Sequence, residues 1–565
     1  MQIYGTDGDD RIWGTHDEDW IDGGPGNDVI IGGGPYQDDR TTARGGDTIF
    51  GGDGFDYVSY EFASGLVPRF RVMEWGVNTQ GVTVSLLDNS IGTGNARRDS
   101  FQAIEGLIGS SVTDKIEGNN EQNVLLGLEG DDSLAGLGGD DQLYGDSGND
   151  TLDGGSGDDQ LWGGAGADAL NGQDGTDTAR YDYAPAAVEV FLTAPLANLG
   201  EAQGDSFAAI ENLTGSGFND LLSGDNAGNT LSGLNADDTL AAGAGDDALY
   251  GGNGDDILIG GLGADYMDGG LGFNYASYAD AAGPVFASLA ASQFNMGDAA
   301  GDVYLNIQGL VAGGFGGTLM GAAGANVLIG GAGNDVLYGG AGDDRLYGGF
   351  GDESFFGDAG ADWLDGGPGY DYARYDNALA GVVASLTSGG TGGDAAGDAY
   401  VECEALLGSG HADVLAGDGG NNVLSGNAGD DVLAGLAAID SLFGGDGADI
   451  LNGGAGADAL YGGNGADEFR FASGEGGDMV YDFSSGVDRV ALAAGSYGGG
   501  LVPGGSLDGR FVIGTVPTSS LGQFLYDPNG QSLSWDADGI GAGGAELITG
   551  FQVGATLTQQ DLWLV

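Results

Sequence analysis

The sequence predicts an all-β chain, a right-handed parallel β-roll solenoid in several stacked blocks with a small C-terminal β domain. Three observations predict it. Nine-residue units follow one another without a break from Gly127 to Arg180, glycine supplies 122 of 565 residues against only 10 prolines, and 86 acidic residues face 14 basic ones. No three-residue glycine period exists, which excludes a collagen-like chain. An apolar content of 41%, with 22 Tyr and 22 Phe, argues against simple disorder.

The units read GLEGDDSLA, GLGGDDQLY, GDSGNDTLD, GGSGDDQLW, GGAGADALN and GQDGTDTAR. Positions one to five are glycine-rich, six is Asp, eight is apolar, and seven and nine are free. Glycine and acidic residues in a row favour tight turns with left-handed backbone angles. One apolar residue between two free ones is a minimal strand with one side inward. Each unit is therefore turn plus strand, and two units close one coil of eighteen residues. Leu134, Leu143, Leu152, Leu161 and Leu170 should alternate between two sheets and fill a narrow core from both sides.

Coils stack at about 4.8 Å, so Asp132 and Asp150 should lie one above the other. Two carboxylates that close repel each other, and the bare turn points glycine carbonyls into the same gap. An anionic slot lined with oxygen suits calcium, which takes six to eight oxygens and accepts carbonyls, better than magnesium, which holds its waters. Thirty-four units can be counted, five in 5–59, eight in 109–180 and seven each in 215–277, 312–374 and 408–470. Position six is Asp in 27 of them: Asp10, Asp19, Asp28, Asp47 and Asp56; Asp114, Asp132, Asp141, Asp150, Asp159, Asp168 and Asp177; Asp220, Asp238, Asp247, Asp256 and Asp265; Asp335, Asp344, Asp362 and Asp371; Asp413, Asp431, Asp440, Asp449, Asp458 and Asp467. These are the candidate metal ligands. One ion per stacked pair would bring on the order of thirty calcium ions. The exceptions are Asn123, Asn229, Asn274, Asn326, Asn422, Glu353 and Gly317. At the Asn positions and at units beside the interruptions of the period, two readings stay open: calcium as elsewhere, or calcium weak or absent.

GGSGDDQLW and GGAGADALN closely match GGxGxDxUx, the signature of the RTX calcium-binding β-roll proteins, which the chain resembles over most of its length. The resemblance implies the same fold and the same cation.

The period is interrupted at 60–108, 181–214, 278–311 and 375–407. The last three interludes open on Tyr181, Tyr278 or Tyr375, pass through an apolar strand ending near Leu192, Leu289 or Leu386, and reach a step at Gly204-Asp205, Gly301-Asp302 or Gly397-Asp398. The first interlude, 60–108, contains an expected strand at Val82–Leu86. The expected domains are 1–59, 60–180, 181–277, 278–374, 375–470 and 471–565. After Arg470 the strands become conventional, with a hairpin of Gln523–Tyr526 and Ser532–Trp535 around Asp527-Pro528-Asn529-Gly530. The stretches 482–490 and 526–539, with the apolar end Asp561–Val565, resemble the carboxy-terminal region of RTX proteins exported by type I secretion, which implies an uncleaved export signal.

The net charge of −72, with Lys115 the only lysine, makes nucleic acid and anionic membranes implausible partners. Neutralisation by cations is needed for a compact fold. Membrane insertion is not expected, since no apolar run reaches the length of a span. No amino-terminal signal peptide is expected, because Met1-Gln2-Ile3-Tyr4 runs directly into GTDGDDRIW. Cys403 stands alone and reads as a small buried apolar residue. His16 and His411 are the only histidines, so no HExxH zinc site exists, and no GxSxG elbow is present. Carboxylate pairs are too common for composition to exclude a glycosidase-like site, but no region outside the repeats is large enough for a familiar catalytic fold. The chain is therefore expected not to be an enzyme.

Ninth positions should form ladders on one face: Tyr144, Trp162 and Arg180; Tyr338, Phe356 and Arg374; Phe443 and Tyr461. They either cover their own sheet or pack under an interlude, or else offer a contact face to another copy of the chain or to sugar rings. The expected role is a secreted, extracellular or surface protein that folds on calcium and self-associates into a layer, filament or matrix. The alternative is an adhesin that binds cell-surface polysaccharide.

Overall fold

The computed structural model describes residues 1–14, 19–31, 48–60, 81–88, 92–93, 99–541 and 543–565. Asp47, His16 and the insertion at 33–41 lie outside the described residues. The chain forms two compact units, Met1–Ser277 with Ala299–Ile307, and Tyr278–Asp298 with Gln308–Val565.

The nonapeptide period becomes a parallel register of eighteen. Ser133–Gly138 pairs with Thr151–Ser156, placing Leu134 beside Leu152, and Thr151–Ser156 pairs with Ala169–Asp174, placing Leu152 beside Leu170. The units between them build the opposite sheet, where Leu125 stands beside Leu143 and Leu143 beside Leu161. These leucines are at most 2% exposed. With one inward residue per strand and glycine on either side, the two sheets can approach closely enough for a single layer of leucine to fill the space between them. The fold is a parallel β-roll solenoid.

Left-handed turns explain much of the glycine. Gly157 has φ +128° in the turn between two strands, and a Cβ there would run into the carbonyl of Gly139 one coil below.

In the first unit, the interlude exchanges one sheet of the roll for another. Ser206–Ala208 pairs with Ala169–Asn171 and ends a six-stranded sheet. Asn212–Thr214 pairs with Thr178–Arg180 and continues a thirteen-stranded one. Glu189–Phe191 starts a new sheet by pairing with Leu221–Ser223. The second unit repeats this: Ala399–Val401 joins Trp363–Asp365, Ala405–Leu407 joins Tyr372–Arg374, and Val383–Ser385 starts afresh against Val414–Ala416. The strand expected at 82–86 is Thr83–Ser85.

The hairpin expected near the carboxy-terminal end is present, with Gln523–Asp527 antiparallel to Ser532–Asp536. Glu546–Phe551 extends it and also pairs in parallel with Asp478–Val480, while Leu562–Leu564 pairs with Arg489–Leu492. Residues from the non-repetitive region thus cover the last strand of both sheets of the roll.

Candidate metal centres

The sixth positions form columns, as their spacing predicts, but the carboxylates do not confront one another. Away from the block edges each reaches back one coil and accepts a backbone N–H. Asp114 donates to Asp132 Oδ1, Asp132 to Asp150 and Asp150 to Asp168, each at 2.7 Å. The opposite column runs Asn123 to Asp141 at 2.6 Å, then Asp141 to Asp159 and Asp159 to Asp177 at 2.7 Å.

One oxygen of each carboxylate is thereby used and the other is left over. Oδ2 of Asp132, Asp141, Asp150, Asp159, Asp168 and Asp177 is buried without a hydrogen-bond partner. So are Oδ2 of Asp28, Asp56, Asp238, Asp247, Asp256 and Asp265 in the first unit, and of Asp335, Asp344, Asp362, Asp371, Asp431, Asp440, Asp449 and Asp458 in the second. These residues are at most 3% exposed. A buried carboxylate oxygen with nothing to accept from is costly unless a cation meets it.

The neighbours of that oxygen are carbonyls. A Cβ placed on Gly127 would meet both Asp132 Oδ2 and the Gly145 carbonyl oxygen, the latter at 3.0 Å. The same pair of groups converges on Gly136 from Asp141 and Gly154, and on Gly426 from Asp431 and Gly444. The position-one glycine thus keeps open a space lined by a carboxylate and backbone oxygens, a hard-oxygen donor set that fits calcium. Among the described residues no three His, Cys, Asp or Glu side chains gather into a group that could hold a metal ion by side chains alone, so any ion here depends on the backbone carbonyls. His411 is exposed at a turn, and Cys403 is buried with its thiol pushed up in pKa by burial.

Burial, together with neighbouring Asp charges, pushes Asp132, Asp141, Asp159 and Asp168 up to about 7, and Asp238 and Asp362 to about 8. Desolvation is the largest cause in each case. At Glu353 the longer side chain brings a second carboxyl close to that of Asp371, and burial followed by this contact pushes it to about 9.

Other predicted ligands are differently placed. Asp10 has one oxygen bound by the N–H and hydroxyl of Thr6, and Asp19 forms an ion pair with the amino group of Met1 at 2.9 Å. Asp114, Asp220 and Asp413 have both oxygens occupied, by Ser110, Ser216 and Ser409 and by backbone N–H groups. For Asp467 no partner of the second oxygen is seen, and a Cβ on Gly462 would meet it as at the other turns.

Three features escaped sequence reasoning. Position five forms a second ladder of opposite direction: Asp131 Oδ1 accepts the N–H of Asn149 at 2.8 Å, and Asp140 that of Asp158 at 2.9 Å. The doubled Asp in GxGDD was its signal. Asp478 and Asp488 extend two columns of the second unit, accepting the N–H groups of Asp458 and Asp467 at 3.1 Å. Their spacings of 20 and 21 residues hide them from an eighteen-residue period. Asp205, in the recurring Gly-Asp step, ends a column of the first unit by accepting the N–H of Asp168 at 2.9 Å.

The aromatic ladders are stacked face to face: Tyr144 on Trp162 at 4.3 Å, Tyr338 on Phe356 at 4.4 Å and Phe443 on Tyr461 at 4.8 Å, the last continued by Tyr481 at 4.7 Å. Arg180 and Arg374 lie over Trp162 and Phe356. Trp162 and Phe356 are 7% and 6% exposed, so these two ninth positions are covered, as in the first of the two readings of the ladders, while Phe443 is 38% exposed.

No curated protein matches the chain. Among solved structures, the AlgE6R3 subunit of the mannuronan C5-epimerase from Azotobacter vinelandii is similar at 26% identity, over 27% of this chain and 77% of that one, with a TM-score of 0.15. The family described as the RTX calcium-binding nonapeptide repeat matches residues 3–34, 41–59, 108–179, 214–276, 320–373 and 407–469 in overlapping segments. With more than half of the chain matched and the turns built as described, the chain belongs to the family of proteins carrying RTX calcium-binding nonapeptide repeats.

Proposed function

We propose that the chain is a secreted protein that folds as calcium fills the gaps between its turns, and that it serves as a self-assembling structural protein of a cell-surface layer, filament or extracellular matrix. The observation that carries the calcium-coupled folding is the column of buried, unpartnered Asp oxygens beside glycine carbonyls, in a chain of net charge −72. Without a cation that charge and burial oppose compaction; with one they become the binding site. In this reading the chain meets calcium outside the cell, where millimolar concentrations fill even weak sites. Blocks 1–59, 60–180, 181–277, 278–374 and 375–470 are successive calcium-bound segments, and 471–565 caps the roll and carries an export signal.

The structural role rests on composition, since nonapeptides and interludes account for residues 5–470. No catalytic role is assigned. The ladders count against glycan binding: rings stacked at 4.3–4.8 Å cover one another's faces, leaving edges rather than faces for a sugar. Light scattering during calcium addition tests the role. Growth into large, calcium-dependent particles supports assembly, and a persistent monomer that retains polysaccharide would replace it with adhesion.

A further inference from the structure

The unpartnered oxygens are not spread evenly over the nonapeptides. Each position-six carboxylate reaches with Oδ1 to the coil below, while Oδ2 lies beside the first glycine of its own turn. Where a nonapeptide turn lies below, as for Asp132 above the turn of Asp114, Oδ2 has no partner. The second residue of the upper turn is then left-handed: Leu128 has φ 85°, Leu137 80° and Leu436 82°. Apolar residues seldom hold that conformation. It recurs at the second position in the turns of Asp132, Asp141 and Asp440, all of which keep an unpartnered oxygen.

Where an interlude lies below, the gap is closed by protein. Asp413 lies above Val382, whose N–H it accepts at 2.6 Å, and Ser409 supplies its N–H at 2.6 Å and its hydroxyl at 2.9 Å. Asn422 lies above Glu404 and donates its side-chain amide to that residue's carbonyl at 3.3 Å. At the other end of a block an interlude lies above, and the closure again uses protein groups. Asp398 accepts the N–H of Asp362 at 3.0 Å and the hydroxyl of Tyr375 at 2.6 Å, while Glu404 Oε2 accepts the N–H of Asp371 at 2.9 Å.

We propose that calcium enters only gaps flanked on both sides by nonapeptide turns, and that the interludes at 181–214 and 375–407 are metal-free splices in which hydroxyl, amide and carboxylate groups of the protein do the work of the cation. This inference rests on the calcium reading and refines it. Block 109–180 then offers six gaps to its eight nonapeptides, and each block of seven offers five.

Native mass spectrometry of the full chain saturated with calcium chloride tests this. The wild type should take up two ions fewer per block than its nonapeptide count in the four blocks from 109 onward. Asp431→Asn should lose one ion; Asp413→Asn should lose none. Ser409→Ala, which removes only the closing hydroxyl, should also leave the number unchanged. One ion per nonapeptide in the wild type, or equal losses from Asp413→Asn and Asp431→Asn, would overturn the inference while leaving calcium binding intact. No uptake by the wild type would overturn the calcium reading itself.

Discussion

Asp205 accepts the backbone N–H of Asp168 with one carboxylate oxygen and the hydroxyl of Tyr181 with the other, at 2.9 and 2.8 Å. The tyrosine is fully buried, and burial followed by the charge of Asp205 holds its hydroxyl well above the ordinary range, so it serves as a donor. Tyr181→Phe would strand a buried carboxylate oxygen, which costs about 1–3 kcal/mol. The calcium-saturated variant should unfold at lower denaturant than the wild type. Tyr183→Phe, whose ring lies largely in solvent, should leave the midpoint in place.

Asp150 and Asp168 occupy consecutive rungs of one column. Replacing both with Ala removes two unpartnered oxygens and the acceptors of two backbone N–H groups. Equilibrium dialysis should find two calcium ions fewer per chain, and unchanged stoichiometry would count against the placement of the ions.

The chelated protein should respond to pH in a direction opposite to that of most folds. A carboxyl whose folded pKa lies above its unfolded one stabilises the fold while protonated. The unfolded value is about 3.9, and the folded values of Asp132, Asp141, Asp159 and Asp168 are about 7. Stability of the metal-free roll is thus present in full below about pH 4 and is lost as pH rises through about 7. Circular dichroism in excess chelator should show β content falling over that window. Calcium, which needs the ionised form, should bind more tightly as pH rises through the same range.

Gly157→Ala should destabilise the block 109–180 even with calcium present. The left-handed φ costs an L-residue about 1–2 kcal/mol, and the new methyl would run into the Gly139 carbonyl. A denaturant midpoint in saturating calcium reads the loss.

The period made the β-roll legible. An inward leucine every nine residues and an Asp six residues into every unit leave one arrangement in which both repeat, with Leu134 beside Leu152 and Asp132 above Asp114. The aromatic ladders followed from the same arithmetic. What escaped depends on contacts outside the period. Tyr181 and Asp205 are 24 residues apart within a non-repeating segment, and the reach of each carboxylate toward the coil below is set by backbone hydrogen bonding that no residue type announces. The left-handed second position was concealed where leucine fills it, because Leu128 and Leu137 hold a conformation that sequence reasoning assigns to glycine.

The most direct test of the account is calcium titration of the chelated full chain at pH 8, followed by circular dichroism. The account predicts a transition from coil to β structure as calcium is added, saturating when the gaps between turns are filled. A chain already fully β in excess chelator at that pH, and unchanged by calcium, would contradict it.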